Sequence, residues 1–86
     1  METANPRLKK AFLEVVSNQL RDNDPPETRQ TLTRLMVEGY TRAESMELIA
    51  AVVSAHIYDM FKRQRHFDPA KYVHDLNKLP QMPWER

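Results

Sequence analysis

"EGYTRAESMELIAAVV", residues 38–53, sets the chain's single glycine and a tyrosine directly before a long helical pattern. A helix, a short Gly-containing turn and a second helix frame a DNA-reading corner, and equally a plain helical corner. The first turns of the second helix separate the two. Their polar positions are Arg42, Glu44, Ser45 and Glu47. Two carboxylates there would face the phosphates, against the electrostatic attraction that dominates DNA affinity. Glu44 also has a local role, because Thr41 followed three residues later by Glu is the reciprocal capping box. The corner reads as structural, and it commits the chain to helices.

Working outward, Asn5-Pro6, Asp24-Pro25 and Asp68-Pro69 each put a capping side chain before a proline. Proline at the first helical position loses no hydrogen bond, while Asn or Asp satisfies an orphan amide of the first turn. With Thr41 these give four helix starts. The first helix runs from about Pro6 to Asp22, with Leu8, Phe12, Val15, Val16 and Leu20 on one face at the 3.6-residue period. The second runs from Pro25 or Pro26 to about Glu38, with Leu32, Leu35 and Met36 inward and Thr28 extending the face. Gly39 supplies its left-handed end. The third runs from about Arg42 to Arg65. Its main stripe begins at Met46, Ile49, Ala50 and Val53 and ends at Ile57, Met60 and Phe61, and Leu48 and Val52 widen it. The fourth runs from Pro69 to about Leu79, with Tyr72, Val73, Leu76 and Leu79 inward. No segment alternates apolar and polar residues over strand length. The expectation is an all-α, compact four-helix domain over residues 1–79 with a long central third helix. Residues 80–86 form an extended C-terminal tail, since Pro80 and Pro83 bar further helix.

At 86 residues the chain has room for one core. Its 41% hydrophobic and 29% charged composition is that of a globular protein. Without cysteine it has neither a disulfide framework nor a thiolate, which fits a reducing cytoplasm. The opening "METANPRLKKAF" lacks the features of a secretory signal, and "LIAAVVSA" is too short to cross a bilayer. A cytoplasmic protein with no membrane association is expected. Thirteen Lys and Arg against twelve Asp and Glu give a net charge of +1, without the basic excess of a dedicated nucleic-acid binder.

Candidate chemistry is sparse. His56 falls at the edge of the third helix's apolar arc and reads as a hydrogen-bonded, partly buried imidazole, with Asp59 three residues on as a partner. His66 and His74 flank Asp68 at a spacing that is not a metal-binding one. There is no glycine-rich phosphate loop, nucleophile elbow or HExxH. No catalytic residue, cofactor or metal is expected, and the chain does not read as an enzyme. Two surfaces remain. Leu48 and Val52, left uncovered by three shorter helices, are candidate contacts for a protein partner or a second copy, and Trp84 in the tail is another. "KRQRH", residues 62–66, places Lys62, Arg63, Arg65 and His66 at the end of the third helix. There cations complement unsatisfied carbonyls; the alternative is a weak nucleic-acid or phosphate patch. The expected function is therefore a small, non-catalytic interaction or assembly module.

The motifs "NPRL" at 5–8, "DNDPPET" at 22–28, "RLMVEGYTRAE" at 34–44 and "FDPAKYVHDL" at 67–76 resemble an uncharacterised bacterial family of small helical domains, from Asn5 to about Leu79. The resemblance implies a compact α-helical fold and no assigned activity. It also implies histidines in the patterns NPxLHxxxH and GYxRHExxH, four imidazoles of a kind that suits zinc. The corresponding residues here are Lys9, Leu13, Ala43 and Glu47. No metal site carries over, and a Lys9–Glu47 salt bridge is expected in its place.

Overall fold

The computed structural model describes residues 6–85 and contains four helices: α1, Pro6–Asp22; α2, Pro26–Val37; α3, Arg42–Arg63; and α4, Pro69–Lys78. No strand occurs among the described residues, and no helix there is long and apolar enough to cross a membrane. The fold is the all-α, four-helix domain that the periodicity predicts.

Local chemistry sets most of the boundaries. At the opening corner, Thr41 Oγ1 accepts from Glu44 N at 3.0 Å and Glu44 Oε1 accepts from Thr41 N at 2.8 Å, which closes the capping box. Before it, Gly39 takes φ +111. That conformation lets Tyr40 N donate to Leu35 O and Gly39 N to Met36 O, satisfying carbonyls that α2 would otherwise leave open. Two residues unremarkable in the sequence repeat the device. Asn23 at φ 51 ends α1 and Gln64 at φ 53 ends α3. Because Gln64 turns the chain out of the helix, α3 stops at Arg63, not at Arg65. Asp68 caps α4 through Lys71 N as expected. Asp24 does not cap α2: Pro26 holds the first helical position, so the cap position falls to Pro25, which has no side-chain acceptor. The expected Asn5 cap lies outside the described residues.

α2 and α3 each pack on all the other helices, with α1 and α4 flanking the pair. The core is built from Val16, Leu20, Leu32, Leu35, Ile49 and Val53 on the first three helices, closed by Tyr72, Leu76 and Leu79 of the last segment. At 22 residues α3 is about 33 Å long and matches the longest molecular dimension, 35 Å. Its three partners are shorter, so part of it must lack cover.

The uncovered part differs from the expected one. Val52 is fully buried, because α4 folds back along that flank of α3 and Asp75 grips His56 one turn further on. Leu48 is half-buried and packs on the core. Phe61, expected inside, is 81% exposed, and Leu8 and Met36 are each about half exposed. The tail is folded into turns, with Gln81 N bonded to Lys78 O and Glu85 N to Met82 O, and Met82 packs against the core.

Candidate functional site

From Leu48 to Tyr58 the third helix carries no Asp, Glu, Lys or Arg. Its inward positions, Ile49, Ala50, Val52 and Val53, fill the core. The outward stripe is Leu48, Ala51, Ala55, Tyr58 and Lys62, whose alternating spacing of three and four keeps one side of a helix, with Ser54 and Phe61 beside it. Leu48, Ala51, Ser54 and Ala55 are half-buried, whereas Tyr58 stands 64% exposed. The hydroxyl of Ser54 donates to Ala51 O at 2.8 Å, so the stripe's central polar group is already satisfied by the backbone. What water meets on this side of α3 is an apolar strip ending in two aromatic rings.

Charges of opposite sign mark its ends. At the start, Glu47 Oε2 lies 3.0 Å from Lys9 Nζ with both side chains about half exposed. At the far end, Lys62 Nζ lies 5.6 Å from the Tyr58 ring centroid, a cation–π contact. Arg63 Nε is held by Asp59 Oδ1 at 2.8 Å. Arg65 and His66 follow Gln64, outside the helix. The basic run is thus divided between two directions of backbone, and Lys62 and Arg63 have local partners.

A second cluster lies between α3 and α4. Asp75, buried to 5% exposure, sits 2.7 Å from His56 Nε2 through Oδ2 and 3.2 Å from Lys71 Nζ through Oδ1. Asp59, the expected partner, is taken by Arg63 instead. The imidazole meets the Tyr72 ring edge-on at 5.5 Å, and Tyr72 OH donates to Gln19 Oε1 at 2.9 Å. Thr28 donates to the same oxygen at 2.7 Å. Burial pushes the Tyr72 phenol above its usual range. These polar contacts join all four helices, and Tyr72 and Asp75 are closed to solvent.

A shallow groove on α2 carries Arg29 and Arg34 among its lining residues. Their guanidiniums are committed to carbonyls: Arg29 donates to Leu20 O at 2.7 Å, and Arg34 to Leu79 O at 2.9 Å and Leu76 O at 3.1 Å. Among the described residues no group of three or more His, Asp or Glu side chains is placed to hold a metal. Trp84 is 61% exposed, so its indole is not buried in the domain.

Sequence reasoning missed Tyr58 and Asp75. Asp75 carried a usable signal, since positions 72, 75, 76 and 79 form one helical stripe. Comparison of the chain with protein families, curated proteins and solved structures gives no match. The salt bridge expected between Lys9 on α1 and Glu47 on α3 does form, at 3.0 Å.

Proposed function

We propose that this protein is a non-catalytic interaction module of the bacterial cytoplasm whose working surface is the outward side of α3. The observation that carries the reading is the exposure of Tyr58 and Phe61 on a well-formed helix, beside a strip without charge. A contiguous apolar patch of this kind marks a contact surface more often than decoration. The buried His56–Asp75 pair serves packing under this reading, and the chain turns over no substrate. Photo-cross-linking in the cells that make the protein tests it. A photoactivatable residue at position 61 is expected to yield protein adducts, while one at position 33, in the α2 groove, yields none. Equal labelling at both positions, or none at 61, overturns the reading.

One observation favours a second reading. Exposed aromatic rings beside a cation, as Tyr58 and Phe61 are beside Lys62, are also the means by which proteins stack single-stranded bases. Oligonucleotide titration at low ionic strength checks this, and a binding curve insensitive to salt removes it.

A further inference from the structure

We infer that the outward strip of α3 is covered by a second copy of this chain, α3 against α3 and antiparallel, about a two-fold axis at Ser54 and Ala55. The inference rests on the reading above that this strip is the working surface.

The strip is complementary to its own reverse. Counted from the midpoint between Ser54 and Ala55, Tyr58 stands as far on one side as Ala51 on the other, and Phe61 as far as Leu48. In an antiparallel pair each exposed aromatic ring therefore meets a smaller, half-buried side chain of the other copy. At the crossing itself lie Ser54 and Ala55, small enough for helix axes to approach to about 8 Å. The Ser54 hydroxyl is already bonded to Ala51 O, so closing the contact strands no donor there.

The charges select the same direction. Glu47 and Lys62 are equidistant from the midpoint and opposite in sign. Antiparallel packing sets Lys62 of each copy against Glu47 of the other, twice. Parallel packing would set Lys62 against Lys62 and Glu47 against Glu47, which costs energy. The existing Lys9 contact of Glu47 is a half-exposed surface pair, weak by nature, and leaves the carboxylate able to take a second cation. From Leu48 to Phe61 the contact runs about 20 Å. That places it near the lower end of specific interfaces, ~1,200 Å² or less in total, where contacts are weak and transient.

Sedimentation of the purified full chain across the micromolar range tests this, with circular dichroism confirming each variant's fold. A reversible dimer is expected. Lys62→Glu should weaken it roughly tenfold, since two exposed ion pairs are lost, and adding Glu47→Lys to it should restore it. The chain lacks cysteine, so Ala55→Cys provides one thiol per copy at the axis. With dissolved oxygen taking up the two electrons and two protons, it should form a disulfide-linked dimer, whereas Thr33→Cys should not. A monomer at every concentration overturns the inference, as does a dimer indifferent to Lys62→Glu and unlinked at position 55. A monomer that still gives adducts from position 61 in cells overturns the second copy alone and leaves the module reading intact. No adducts and no dimer defeat both.

Discussion

Tyr72 does several jobs with one side chain. Its ring closes the core at 1% exposure, its edge meets His56, and its hydroxyl reaches Gln19 on α1. Burial raises the phenol above its ordinary value of 10.0. A group whose folded value exceeds its unfolded one stabilises fully below the unfolded value, and that stability fades as pH rises through the folded value. Unfolding by denaturant should therefore become easier above about pH 10. Tyr72→Phe should begin about 1 kcal/mol less stable at neutral pH, for the lost hydrogen bond, yet fall less steeply over that alkaline window. Parallel slopes for the two proteins would contradict the assignment. Asp75 makes a second prediction. Asp75→Ala should cost about 1–3 kcal/mol in a denaturant titration, because it leaves the largely buried His56 Nε2 without its partner.

Among elements, α3 shows which features a sequence discloses. Its start was legible because Thr41 and Glu44 act on each other within one turn and need nothing distant. The end of α2 was legible for the same reason, Gly39 being the residue most tolerant of φ +111. The end of α3 was not, since Gln64 advertises no preference for the left-handed region it adopts. The burial of Val52 and the exposure of Phe61 were hidden for a different reason. Which flank of a broadly apolar helix is covered depends on where α4 lies, and the His56–Asp75 contact between residues 19 positions apart records that placement. The candidate surface was only half legible: Leu48 belongs to it, Val52 does not, and Tyr58 was overlooked. Removing the local device has a calculable effect. Thr41→Ala should cost about 1 kcal/mol, read as a fall of roughly 4–8 °C in Tm for a domain of this size. An unchanged Tm would mean that other contacts, and not the box, hold the corner.

For the molecule as a whole, size and surface are in tension. A chain of 86 residues has a folding free energy of roughly 4–13 kcal/mol. Leu76→Ala, at a fully buried site in the helix that closes the core, should remove about 2–5 kcal/mol of it. Phe61→Ala, measured in dilute solution, should change stability by less than about 0.5 kcal/mol, despite deleting the larger side chain. Calorimetry of the two variants compares them directly, and similar losses would mean that Phe61 supports the monomer.

The attachment of α4 has a consequence for the life of the chain. Ten residues make too short a helix to persist unaided, and Arg34 holds its far end through two carbonyls. As synthesis proceeds, residues 69–78 emerge after the other three helices, so until they dock the flank of α3 that carries Val52 stays wet. The same dependence makes the bare link from Gln64 to Phe67 the place where a protease does most harm: a single cut there frees the closing helix and turns a closed bundle into a sticky three-helix remnant.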